Sequence, residues 1–382
     1  MYLFFDMPKG EFEAEYLYKK PRVFEKAVRE NTLTWVEVNE IYGRANVGHR
    51  SFKLMDGHEV PKSEYVETYI NVGERECRLI RSVLYEYMRE GATLVYNRIS
   101  NEPRISGIVK DVSTYISAQT IVSGYAAFSG KSSYRSHWDT RDVFAVQLLG
   151  RKRWVIKQPN FELPLYVQQT KDMPQFSEPE DIYLDVVLEQ GDVLYIPRGW
   201  WHNPLPMGGE TFHLAVGTFA PTGFDYIKWL VGLSPGIRGV RHNLQGFEKD
   251  QEILTQISNG IAELIQDEIV FESFMEAYLS QQRIESRLSL DVLGNGAINS
   301  LSSGAKVRVN ANLLYCFSGR KFLINGCVVN LDEVGFELVR YIHDNGSCDV
   351  SSICEIFSQY ESSVVKDLLF KLSINDVLEF SC

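Results

Sequence analysis

The spacing of apolar and polar positions divides the 382-residue chain into three stretches. Residues 10–30 read as a short helix broken at Pro21 and then an extended piece. A second helix is predicted around Trp35, Val38 and Ile41. Leu79, Val83, Leu84 and Tyr87 recur at three- and four-residue spacing, which predicts an amphipathic helix over 74–90 ended by Gly91. A strand over 92–96 and a helix over 106–117 follow. From Gln119 the pattern becomes that of strands for a hundred residues: 119–128, 134–140, 143–148, 154–156, 184–189, 193–197 and 211–219. Prolines 159, 164, 174 and 179 mark a long loop over 161–180, a length that makes it a candidate substrate lid.

Beyond Pro221 the alternation stops. Residues 225–232 and 251–282 read as helices, the second with Ile253, Leu254, Ile257, Ile261, Leu264 and Ile265 on one face. Residues 294–304, rich in Ser, Asn and Gly, read as a linker. The tail begins with strands and continues with a helix over 331–345, started by Asn330 with Glu333 and stopped by Gly346. Two short helices and a final strand from Val377 then suggest a winged helix. The fold class is therefore α+β: a double-stranded β-helix (cupin) core with N-terminal helices, a helical middle region and a winged-helix-like C-terminal domain. The corresponding boundaries are 1–221, 222–293 and 305–382.

Charge narrows the partners. Formal net charge is -11, from 39 basic and 50 acidic residues, which disfavours phosphate backbones and suits a basic protein or peptide. The tail from 330 holds ten acidic residues against three basic ones, so direct DNA binding by the winged-helix-like region is not expected. The six cysteines form no Cys-x-x-Cys pair and read as free thiols of a reducing cytoplasm. The apolar start, residues 1–6, is too short for a signal peptide and lacks a basic leader. No apolar run approaches membrane-span length.

The chemistry gathers at His137-Trp138-Asp139. On a strand, His137 and Asp139 share one face while Trp138 takes the other. An imidazole and a carboxylate offer a metal two ligands, and a third from a distant loop would complete the two-histidine, one-carboxylate facial triad of non-haem Fe(II) sites. The segment from Gly191 to His202 has a buried strand, a Pro197-Arg198-Gly199 turn and His202 after it, which makes His202 the candidate third ligand. His213 competes, but it sits mid-strand. The alternative for His137 is a core histidine paired with Asp139. Lys152 lies in a run, Arg151-Lys152-Arg153, that could be a solvated hairpin. Alternation nevertheless sends Lys152 to the face opposite both arginines, together with Trp154, where an ammonium needs an anion. A carboxylate is a suitable one.

The span Tyr125–Trp154, with Gly191–His202 and His213–Phe219, resembles the JmjC-domain 2-oxoglutarate oxygenases, closest to the ribosomal-protein hydroxylase subgroup. Residues 91–97 and 16–21 resemble that subgroup's N-terminal elements. The resemblance implies Fe(II) held by His137, Asp139 and His202, with 2-oxoglutarate held by Lys152 and Tyr125 beside Ser123 and Tyr134. It implies O2-dependent hydroxylation of a protein or peptide side chain, with release of succinate and CO2, and a homodimer formed through the helical middle region. An ordinary packing helix is the other reading of that region. Two positions depart from the subgroup. Ser123 stands where asparagine is usual, and Gly217 where serine is usual. Trp200 and Trp201 are candidate walls of the site, with one of the two expected to pack in the core. The competing functions are a cupin metalloenzyme acting on a small molecule without 2-oxoglutarate, a tailoring hydroxylase of ribosomally made natural-product peptides, and a non-catalytic cupin.

Overall fold

The computed structural model describes residues 1–130, 134–282, 301–302, 304–311, 315–316 and 321–381. They form two compact units, Met1–Phe219 and Ala220–Cys382. Most of the expected linker over 294–304 lies outside the described residues.

Two large sheets of the first unit are built from eleven strands: β1 (Arg22–Phe24), β2 (Phe52–Met55), β3 (Thr93–Tyr96), β4 (Gln119–Ala127), β5 (His137–Trp138), β6 (Val143–Leu149), β7 (Lys152–Lys157), β8 (Leu184–Leu188), β9 (Val193–Ile196), β10 (Trp201–Pro206) and β11 (Thr211–Phe219). Seven form one antiparallel sheet in the order β1-β9-β6-β11-β4-β3-β2, and four form a second in the order β8-β7-β10-β5. This is the expected double-stranded β-helix. The sheets enclose an apolar interior in which Ala145, Trp154, Ile156, Leu188, Leu194, Ile196 and Trp200 pack together. Burying such side chains stabilises the fold by roughly 1.5–3 kcal/mol each, so the walls around the pocket described below are stiff.

Three local expectations need correction. Residues 74–79 are a strand, not the start of a helix. Glu74–Leu79 pairs with Val66–Asn71 across a turn at Val72 and Gly73, both at positive φ. Glu67 and Tyr69 reach across to Arg78 and Glu76, at 2.6 and 2.7 Å. Leu79 met the helical spacing by coincidence, and the helix runs only over Arg81–Glu90, ended as expected by left-handed Gly91. The predicted strand over 134–140 shrinks to the two residues of β5. The predicted helix over 251–282 is two helices, Gln251–Gln266 and Glu268–Leu279. Asp267 between them is extended, and its carboxylate caps the second by accepting from the Ile269 and Val270 amides.

In the second unit the helix Gly223–Leu233 begins with a capping box of Thr222 and Asp225. The tail packs helices Glu333–Asn345, Val350–Ile356 and Ser362–Ile374 with a three-stranded sheet, ordered Cys348–Asp349, Lys306–Val309, Leu378–Ser381. Its core holds Leu338, Val339, Ile342, Ile353, Val365 and Leu369. The cap of the first of these helices is Asp332, which accepts from the Gly335 amide at 2.8 Å, rather than Asn330. Among the described residues, no helix is long and apolar enough to cross a membrane.

Candidate metal and cosubstrate pocket

The register of two short pairings brings the predicted metal ligands together. His137 on β5 lies opposite His202 on β10, so both imidazoles project from one face of adjacent strands with ring centroids 4.4 Å apart. Asp139 follows β5. Its carboxylate oxygens stand 3.9 Å from His137 Nε2 and 3.5 Å from His202 Nε2. Ligand atoms of the three all lie within 4.8 Å of one another. His213 lies outside this cluster.

His202 thus sits on a strand, not on the loop anticipated. Pro204 and Pro206 disguised that strand, since proline cannot donate to a ladder. β5 pairs only with Trp201 and His202, so both prolines fall where β10 has β7 alone beside it. The turn before β10 is tied to the metal segment by the Gly199 amide, which donates to the Asp139 carbonyl at 3.0 Å. Gly199 has φ +88°, and a Cβ there would come within 2.8 Å of the Phe161 carbonyl oxygen. Only glycine fits.

What orients the two rings could not be read from sequence. His137 Nδ1 lies 2.8 Å from the Arg135 carbonyl and His202 Nδ1 lies 3.1 Å from the Trp200 carbonyl. A carbonyl can only accept, so each Nδ1 carries the proton and each Nε2 lone pair is left for a metal. Burial first, and then the neighbouring His137, push the His202 pKa down to about 4, which keeps that ring neutral. Two neutral imidazole nitrogens and one carboxylate suit a divalent first-row ion such as Fe(II).

The pocket deepens away from this cluster. Side chains of Asp139 and His137 are 44% and 31% exposed, whereas Lys152, His202 and His213 are buried. Lys152 points inward from β7 with Trp154, while Arg153 points out and pairs with Asp185 at 2.7 Å, as alternation required. Among the described residues no carboxylate lies within ion-pair distance of Lys152, and burial pushes its pKa down to about 8. A cation so placed is completed by an anionic ligand. Tyr125 stacks on His213 at 4.9 Å and 10°. Tyr134 lies 6.0 Å from Tyr125 and 6.2 Å from His137. Burial raises both phenols, so they stay protonated donors.

These groups line one cavity together with Thr93, Val143, Ile196, Pro204, Pro206 and Ala215. Two of the candidate residues stand apart from it. Ser123 shares a face of β4 with Tyr125 but is not among the lining side chains. Gly217 leaves open space, since a Cβ there would meet only the Ile121 carbonyl at 3.8 Å.

One tryptophan packs in the core as expected, but neither walls the site. Trp200 packs in the barrel core, and Trp201 turns to the far face, where its ring meets Trp138 at 4.8 Å and its Nε1 donates to Asn160. Trp154 is the tryptophan that lines the pocket, and alternation from Lys152 was the signal for it. The long loop is pinned to that same far face: Trp138 donates to Gln168 and Thr170 at 3.1 and 3.0 Å. It therefore braces the ligand strands from behind.

Comparison with known proteins agrees with this geometry. Residues 94–226 match the JmjC domain family. The chain is 28% identical over 149 residues to the bifunctional lysine-specific demethylase and histidyl-hydroxylase NO66 of Dictyostelium discoideum, covering 38% of this chain and 28% of that protein. It is 26% identical over 239 residues to ribosomal oxygenase 2 of Rattus norvegicus, covering 57% of this chain and 49% of that one. The matched stretches thus span less than half the length of these relatives. The fold matches Escherichia coli ribosomal oxygenase YcfD along the whole of both chains, with a TM-score of 0.63 at 15% identity. One structure of that protein, with a TM-score of 0.60 at 14% identity, is in complex with cobalt and 2-oxoglutarate. With a double-stranded β-helix of this topology and a His-Asp-His cluster in its mouth, the chain has the fold of these oxygenases, and its residues 94–226 match the JmjC domain.

Proposed function

We propose that the chain is an Fe(II)- and 2-oxoglutarate-dependent hydroxylase acting on a side chain of a protein or peptide. The observation that carries this reading is the pairing of the two ends of one pocket. At the mouth, two imidazoles have Nδ1 held by backbone carbonyls and Nε2 turned to a shared point with Asp139. At the bottom, Lys152 is a buried ammonium without a carboxylate partner among the described residues.

His137, Asp139 and His202 would hold the ferrous ion, leaving positions open for the keto acid and O2. When bound, iron and oxoglutarate supply the oxidative decarboxylation to succinate and CO2 that delivers one oxygen atom of O2 to the substrate carbon. Lys152 takes the far carboxylate as a point charge, and the Tyr125 and Tyr134 hydroxyls donate beside it. Trp154, Ile196 and Pro204 keep water out. The more exposed Asp139 and His137 mark the side from which substrate approaches.

An acidic chain favours a basic substrate, and a ribosomal protein fits both that charge and the names of the ribosomal oxygenases among the similar proteins. A cytoplasmic site of action accords with such a target. Exposed Ile227, Val231, Leu244, Phe247 and Ile269 in the helical stretch after Pro221 support a homodimer formed there. That stretch and the tail are read as separate domains. The three helices and sheet of the tail are read as a winged helix used for protein contact.

The test is to incubate the protein with Fe(II), oxoglutarate and ribosomal proteins. Succinate should form in step with a mass increase of one oxygen atom on a single target. A pocket that takes no oxoglutarate would return the reading to a cupin acting on a small molecule.

A further inference from the structure

We propose that His213 is a positioning residue for the cosubstrate: its Nδ1 accepts from the Lys152 ammonium and aims it at the far carboxylate of 2-oxoglutarate. This rests on the functional reading above and assigns a role to a histidine outside the metal cluster.

Geometry carries it. Lys152 Nζ lies 3.4 Å from His213 Nδ1, and both side chains are about 4% exposed. An ammonium has only donors, so the pair is made with His213 neutral and its proton on Nε2. Burial and the Lys152 charge both hold the imidazole in that neutral form. The ring itself is fixed. It lies flat on Tyr125 at 4.9 Å and 10°, with Trp154 perpendicular to it at 5.6 Å and 87°. His213 sits directly across from Tyr125 in the β4–β11 register and from Gln147 on β6. A lysine has four rotatable bonds, and one fixed acceptor at its tip removes most of their freedom before ligand arrives.

A second observation points to the same ligand. The buried Trp154 indole N–H has no hydrogen-bond partner among the described residues, although Trp154 lines the cavity two residues along from Lys152. A neutral acceptor on one side of the ammonium and an unfilled donor on the same wall suit an anion, not a second cation. The titratable groups lining the cavity are Lys152, His213, Tyr125, Tyr134 and the three metal-cluster side chains; Asp139, the one acid among them, is at the mouth.

The test uses the full chain loaded with redox-inert Mn(II) under nitrogen, with binding measured by calorimetry. The ligands are 2-oxoglutarate and 2-oxoglutaramate, which differ only in that the far carboxylate becomes an amide. His213→Phe keeps the ring against Tyr125 and removes the acceptor. It should weaken oxoglutarate binding about tenfold and leave the amide within about twofold. His213→Gln, which restores an acceptor, should recover most of the loss. His213→Leu repeats the test if the phenylalanine variant does not fold. Equal losses for both ligands, or none for either, would overturn the role of His213 while leaving the pocket assignment intact. Wild-type protein that does not prefer oxoglutarate to its amide would overturn the oxoglutarate reading, and this inference with it.

Discussion

The two units treat polar side chains differently. Beyond Phe219 the described buried polar residues are Asp250 and Asn310, and both serve the backbone or its caps. Asp250 accepts from the Gln245 and Gly246 amides, and Asn310 donates to Asp376. In the first unit many buried polar groups do the same kind of work: Asp192 accepts from Lys26 and Glu189 amides, and Glu102 holds Arg44. Lys152, His202 and His213 are different. They are buried and line one cavity: Lys152 pairs with His213, and His202, held at Nδ1 by the Trp200 carbonyl, turns Nε2 to the metal cluster. Apolar side chains lie exposed in both units, Ile70 at 70% and Val72 at 98% in the first and Ile269 at 76% and Phe247 at 78% in the second, but the second has no such cavity among its described residues to set beside them. Incompletely satisfied polar groups mark a site for small ligands, and uncovered apolar faces mark a surface for large ones.

That contrast can be broken most sharply at the metal cluster. His202→Ala should lower turnover by about a thousandfold or more and abolish stoichiometric metal binding, because two ligands cannot replace three. Loss of turnover with metal binding unchanged would refute the ligand assignment. Next in size, Lys152→Ala should raise the oxoglutarate concentration needed for half-maximal turnover by about a hundredfold, with the rate at saturation far less affected.

A pH series sharpens the same point. Burial lowers the Lys152 pKa to about 8 in the free protein. The charged form binds the carboxylate, so bound ligand raises that pKa. Affinity should therefore be level below pH 8 and fall by up to about tenfold per unit above it, as the free protein loses the proton that binding requires. Calorimetry across pH 6.5 to 9.5 (roughly 1.5 units either side of 8) would show the bend. Affinity that rose with pH would contradict the assignment.

The second unit predicts a separate outcome. Ile269→Glu should leave oxoglutarate affinity unchanged and shift the sedimentation coefficient from dimer to monomer. A wild-type protein that sediments as a monomer would remove the proposed interface. The smallest effect is expected at Arg153, one residue from Lys152 but on the opposite face. Arg153→Ala should leave oxoglutarate binding as it was, and a loss like that of Lys152→Ala would mean that the strand alternation has been misread.

Much of the site was legible because strand geometry is regular. Two-residue alternation was enough to put His137 with Asp139 and Lys152 with Trp154, and to turn Arg153 outward. It failed where side-chain chemistry hides backbone state. Pro204 and Pro206 concealed the strand that carries His202, and a chance spacing at Leu79 made half of a hairpin look helical. Asp267 broke a helix that apolar periodicity carried straight through. The carbonyls of Arg135 and Trp200 were beyond reach for another reason. Backbone groups leave no mark in the sequence, and their partners depend on local turns. The Lys152–His213 contact was hidden because its two residues lie 61 positions apart on different sheets.

The most direct measurement is an anaerobic titration of the protein with Fe(II) and then with 2-oxoglutarate, following bound iron and the visible charge-transfer absorbance of a ferrous keto-acid chelate. One iron should bind per chain, with the absorbance appearing only after oxoglutarate is added and needing far more of it in Lys152→Ala. Iron binding that survives loss of His137, or no absorbance in the wild-type protein at any oxoglutarate concentration, would contradict the assignment.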